Sequence, residues 1–275
     1  MASFAAPVLY TLFVWWLSTG VILYLDGLAR RTFVWSFAGA SALLGVALWG
    51  IAATEAEATA ANAYCAFGGA VLIWGWQLVA FYMGFVTGPR RTACPPELRG
   101  WRRFVEGART SLYHELAVVF GAGVVVALAW GQPNQVAVWA YLVFWWMHMS
   151  AKLNIFLGVP NLGEEMLPEH LRYLESFMAR RPMNLLFPVS VSISTVVAVL
   201  LAQPALAIGA TPFEVASFTM LTTLMVLAIV EHWVLVAPLP VNRLWQFGVK
   251  AQAAGWKANG SNTLAQAREG LGGVR

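Results

Sequence analysis

Charge is scarce in this sequence. Asp, Glu, Lys and Arg make up 11% of its 275 residues, where a soluble domain carries about 25%. With 59% of the residues hydrophobic, the chain lacks the polar surface needed to wrap a water-soluble core. Cysteine is nearly absent. Cys65 and Cys94 are far apart and fall on opposite sides of the topology below, which argues against a disulfide framework or a cysteine metal site. No Lys or Arg precedes Arg30. A cleaved secretory signal needs a basic start and a small-residue cleavage site, so the first apolar run reads as an uncleaved span. There is no phosphate-cradling Gly loop, no Walker sequence, no Gly-x-Ser-x-Gly elbow and no internal repeat. The paired broken helices of repeat-built transporters are missing too.

What is present is apolar sequence in long blocks. A helix needs about 20 apolar residues to cross the hydrocarbon core. Seven stretches meet that need, at 7–25, 33–53, 64–86, 111–130, 136–156, 184–203 and 212–236. They must be helical, because lipid offers no partner to an open backbone. The expected fold is therefore all-α: a polytopic membrane protein of seven transmembrane helices over residues 1–240. Residues 241–275 form a cytoplasmic amphipathic segment (241–256) and a flexible tail.

The basic residues fix an orientation. Sixteen of the 17 lie after spans 1, 3, 5 and 7, and none lies in the N-terminus or after spans 2, 4 and 6. The positive-inside rule makes the basic side cytoplasmic, with the N-terminus outside and the C-terminus inside. Loop 87–110 is Arg-rich and carries Trp101 and Phe104, so it reads as an amphipathic helix on an anionic lipid surface. Topology accounts for these arginines, and a nucleic-acid role is not expected.

The seventeenth basic residue is Lys152, inside span 5. His148 lies one turn before it, on the same helix face. A charged Lys inside a membrane faces the bundle interior or a wet cavity and has a partner. Glu115 on span 4 and Glu231 on span 7 sit at the same depth and are the expected partners. Asn154 lies about 200° round the helix from Lys152 and joins the same site only if the helix unwinds near Gly158 and Pro160. His114, His148, His232, Glu115 and Glu231 form a candidate metal set for iron or zinc. Their spacing matches neither Glu-x-x-His nor His-Glu-x-x-His, and Lys152 repels a cation. Alternatively, a neutral His148 is an axial ligand for the magnesium of a chlorin, with Phe144, Trp145, Trp146, Phe156 and Trp233 lining a ring-shaped pocket. Gln77 and Tyr82 are weaker members of that pocket. Glu164, Glu165, Glu169 and His170 in the 5–6 loop read as a solvated stretch, and Ser190, Ser192, Ser194 and Thr195 as helix-packing residues.

The stretches SAKLNIFLGVPN (150–161), LPEHLRYLESFM (167–178) and NLLFPVSVS (184–192) resemble the PuhE family. So do YHEL (113–116) and EHW (231–233). These are photosynthetic complex assembly proteins of purple phototrophic bacteria. The resemblance covers about residues 1–250. It implies a protein of the bacterial cytoplasmic (inner or intracytoplasmic) membrane, acting in reaction-centre and light-harvesting assembly or in the bacteriochlorophyll supply for it. Its expected partners are reaction-centre and light-harvesting subunits or other assembly factors. It implies no catalytic residues. Three readings stay open: an assembly factor holding bacteriochlorophyll or a precursor at His148, Lys152, Asn154, Glu115 and Glu231; a membrane metalloenzyme modifying a tetrapyrrole, carotenoid or quinone; and a ligand-free scaffold.

Overall fold

The computed structural model describes residues 4–237, and within them the chain is helical with no strand. Eight α-helices follow in order: α1 (Ala5–Asp26), α2 (Phe33–Thr54), α3 (Ala60–Tyr82), α4 (Gly100–Arg109), α5 (Leu112–Ala129), α6 (Val136–Leu157), α7 (Leu186–Leu206) and α8 (Pro212–Val236). Six of them, α1, α2, α3, α5, α7 and α8, are long and apolar enough to cross a membrane. The 22-residue α6 is of similar length but carries His148, Lys152 and Asn154, and it is not one of the six. The segment expected at 241–256 and the tail lie outside the described residues.

Helix α3 is the centre of the bundle, packed against α1, α2, α5, α6 and α8. Its small residues make this possible: Ala63, Ala66, Gly69 and Ala70 are buried and let neighbouring backbones approach. A Cβ on Gly69 would come 2.8 Å from Ile51 Cγ1, so α2 lies directly on that helix face. The buried core continues through Val118, Ala137, Tyr141, Met147, Met220 and Leu224. Outward faces stay apolar, with Leu9, Trp35, Trp49, Phe120 and Val196 exposed, as a lipid-facing surface requires.

Helix ends are fixed by specific polar residues. Thr59 accepts from the Asn62 N–H at the start of α3, and Thr211 with Glu214 forms a reciprocal capping box on α8, with Pro212 at the first helical position. Three asparagines bind loops to helix ends. Asn134 donates to the Thr54 and Asn62 carbonyls, Asn161 to those of Val234 and Ala237, and Asn184 to those of Asn154 and Gly158. Helix α3 stops at Tyr82, short of the expected 86. Gly84, at φ +81, takes the backbone into the left-handed region and out of the helix. Loop 87–110 contains α4, whose Trp101 is exposed. Its Arg103 donates to the Phe177 carbonyl and lies over the Phe156 ring. Through this contact, Cys94 N–H to Ser176, and a shared cavity described below, the loops after α1, α3 and α6 meet at one end of the bundle.

Candidate functional site

Local structure places the polar cluster. The His114 N–H donates to the Thr87 carbonyl at 2.9 Å, which starts α5 with His114 and Glu115 in its first turn. Opposite, α6 presents His148 and Lys152 one turn apart. The Lys152 ammonium donates to Glu115 Oε1 and to Ser111 Oγ. His148 Nε2 is 3.9 Å from the same carboxylate oxygen. The His114 and His148 rings are edge to face at 5.6 Å. Phe81 packs on His114 at 4.8 Å and Trp74 on His148 at 5.5 Å. His114 is 1% exposed, yet neither ring nitrogen has a hydrogen-bond partner. His148 Nε2 and Glu115 Oε2 are also buried without one. Native structures leave few such groups unpaired, because each costs about 1–3 kcal/mol.

Three of the five residues in the expected metal set come together. One ligand atom from each of His114, Glu115 and His148 lies within 4.8 Å of the others. Two imidazoles and one carboxylate suit iron or zinc, and the unpaired nitrogens fit that demand. Lys152 opposes it, since its ammonium already holds the carboxylate.

Glu231 and His232 are elsewhere. Glu231 Oε1 accepts from Trp15 Nε1 at 2.8 Å, on the α1 side of α8, and does not meet Lys152. His232 is buried, with Nδ1 2.9 Å from the Ala228 carbonyl and Nε2 2.9 Å from Ser150 Oγ, so both nitrogens are engaged locally. Adjacent residues on a helix are about 100° apart, which is why Glu231 and His232 part company. Asn154 stays away from Lys152 because α6 continues regularly to Leu157. Its amide donates to the Ser150 carbonyl and to Ser190 on α7. Gln77 is likewise consumed by structure. It donates to Tyr141, whose hydroxyl donates to the Val118 carbonyl at 2.7 Å. His170 lies in a separate cavity, and the Glu165 side chain lies outside the described residues.

A cavity of about 430 Å³ lies between α1, α3, α6 and α8. Its wall is mainly apolar and aromatic, with Trp15, Trp74, Tyr82 and Phe144, and it carries His148 and Glu231. Such a volume and wall are those of small-molecule and cofactor sites, about 300–1,000 Å³. His148 thus stands between this cavity and the Glu115–Lys152 pair. Trp15, Trp74 and Ser111 were not expected at the site. The only signal for Trp15 and Trp74 is their aromatic character within spans 1 and 3, which interface belts share. Ser111 gives none.

Among the described residues, fold and site together define an all-helical protein with several membrane-length apolar helices and a polar cluster beside an internal cavity. The chain belongs to the family described as protein of unknown function (DUF3623), whose model matches residues 1–255. It is 36% identical over 241 residues to an uncharacterized 30.4 kDa protein in the puhA 5′ region of Rhodobacter capsulatus. That match covers 86% of this chain and 88% of the relative. No solved structure matches.

Proposed function

We propose that this is a seven-helix protein of the bacterial inner membrane, with α6 as its fifth span, the N-terminus outside and the C-terminus cytoplasmic. It acts in assembly of the photosynthetic reaction centre and light-harvesting complexes, and holds bacteriochlorophyll or a late precursor in the cavity between α1, α3, α6 and α8. The relative's position beside puhA, in a photosynthesis gene region, supports the process. The partition of basic residues supports the orientation. The observation that carries the ligand is a histidine, His148, in the wall of a cavity lined by tryptophan, tyrosine and phenylalanine. Imidazole at His148 would hold the central magnesium, and the Lys152–Glu115 pair would keep His148 oriented. Reaction-centre and light-harvesting subunits, or other assembly factors, would receive the pigment. The α4 loop would bind anionic lipid.

Absorption by protein purified from its native membrane tests this reading. Bound chlorin that is lost on His148→Phe supports it, and pigment retained by that variant removes the ligand assignment. The three ligand atoms of His114, Glu115 and His148 favour a second reading, a metal centre that modifies a tetrapyrrole, carotenoid or quinone. Two substitutions separate the readings. His114 is not in the cavity wall, so His114→Ala abolishes metal but spares pigment. Glu231 is in the wall but outside the metal group, so Glu231→Gln does the reverse. Protein free of both pigment and metal would leave the scaffold reading.

A further inference from the structure

A second cavity, of about 320 Å³, lies where three loops meet beyond the ends of α1, α3 and α6. It is lined by Arg30 after α1, Thr87 and Arg91 after α3, and His170 and Tyr173 after α6. Phe33, Met83 and Leu171 give it an apolar side. No Asp or Glu lines it. Among the described residues neither Arg30 nor Arg91 is in an ion pair, whereas Arg90, Arg109 and Arg180 are. Glu169, beside His170, is the acidic group that acts on His170.

Three neutral polar groups here are buried without a partner: Thr87 Oγ1, the Tyr173 hydroxyl and His170 Nε2. Thr87 is 1% exposed. Burial and the Arg30 charge hold His170 below the usual imidazole range, and its unpartnered Nε2 is open to a hydroxyl in either neutral tautomer. Gly84, at φ +81, passes under that ring, and a Cβ there would lie 3.3 Å from Nε2. Two guanidiniums and two hydroxyls supply donors for an anion, and Nε2 pairs with a hydroxyl beside it. Arginine forks match phosphate oxygens in pairs.

We propose that this cavity is a phosphate-recognition site. Its occupant is the head group of an anionic phospholipid, with phosphate on Arg30, Arg91 and Tyr173 and a head-group hydroxyl on His170. The apolar side, at the ends of membrane-length helices, favours a lipid over a soluble ester. Only that choice of source rests on the membrane reading above. The phosphate chemistry does not.

Native mass spectrometry of the full chain tests it, in phosphatidylcholine nanodiscs with and without phosphatidylglycerol. Wild-type protein should retain phosphatidylglycerol selectively after release. Arg30→Gln with Arg91→Gln should weaken retention about tenfold or more, since charge-assisted hydrogen bonds are lost. Arg31→Gln with Arg181→Gln removes equal charge from outside both the cavity and α4 and should change retention less than twofold. Tyr173→Phe keeps the charge and fold and should still weaken retention several-fold. Equal losses in the two arginine pairs, or no loss in Tyr173→Phe, overturn the site. Inorganic phosphate and glycerol 3-phosphate form a second arm. Displacement of lipid by glycerol 3-phosphate supports phosphate recognition. Binding of these soluble ions without any lipid selectivity overturns the lipid occupant while keeping the phosphate site.

Discussion

Replacing Lys152 by Met removes the ammonium that Glu115 Oε1 and Ser111 share. The carboxylate then stays between α5 and α6 with Oε2 buried and unpaired, as it already is, and Oε1 newly so. Breaking a fully buried pair costs about 3–5 kcal/mol, and an exposed pair contributes at most about 1. Here the side chains are 36% and 22% exposed, which places the pair between these limits. Lys152→Met should therefore destabilise by about 2 kcal/mol, and Glu115→Gln by a similar amount. The double variant should cost clearly less than the sum, with a coupling of about 1 kcal/mol or more. Reversible unfolding in mixed micelles, followed by tryptophan fluorescence, measures all four corners of the cycle. Additive single effects would refute the pair as the reason a lysine is tolerated in α6.

Gly121→Ala should destabilise by about 1–3 kcal/mol, because its Cβ would come 2.7 Å from the Tyr141 hydroxyl and break the Gln77–Tyr141 network; thermal melting checks it. Asn184→Ala should cost about 1–2 kcal/mol, since Asn184 also accepts from the Leu186 and Phe187 N–H groups and so caps α7. Hydrogen exchange at the start of α7 should rise with it. Trp15→Phe should loosen α1 from α8 by about 1 kcal/mol through loss of the bond to Glu231, read from the same unfolding assay. Hydrogen bonds from Arg90 and Arg109 hold the Glu106 carboxyl below the usual carboxylate range. Its folded pKa is the lower one, so the stabilising contribution is complete above the unfolded pKa and lost as pH falls through the folded value. Protection of α4 amides, measured against their intrinsic exchange rates at each pH, should therefore fall on acidification, and Glu106→Gln should show that lower protection already at neutral pH.

The helices were legible because lipid imposes a single rule, about 20 apolar residues per crossing, and their bounds follow runs visible by eye. Where α3 ends was not, because a left-handed glycine outweighs the apolar character of Phe85 and Val86. The meeting of Lys152 with Glu115 followed from depth and from the cost of an unpaired cation. Depth alone could not tell Glu115 from Glu231, since helix rotation decides which side of α8 faces α6. The same rotation sends His232 to Ser150. Asn154 follows the rule for a regular helix and stays with α7. The second cavity was hidden, because its residues come from three loops that read separately as topology signals. Its histidine looked solvated only because the sequence does not show Gly84 beneath the ring.

The most direct test of the pigment reading is one absorption spectrum, with metal analysis, of protein purified from its native membrane beside His148→Phe and His114→Ala. Chlorin absorption is expected in the wild type and in His114→Ala, and none in His148→Phe. Protein that comes through without pigment, or that keeps it when His148 is gone, contradicts the account.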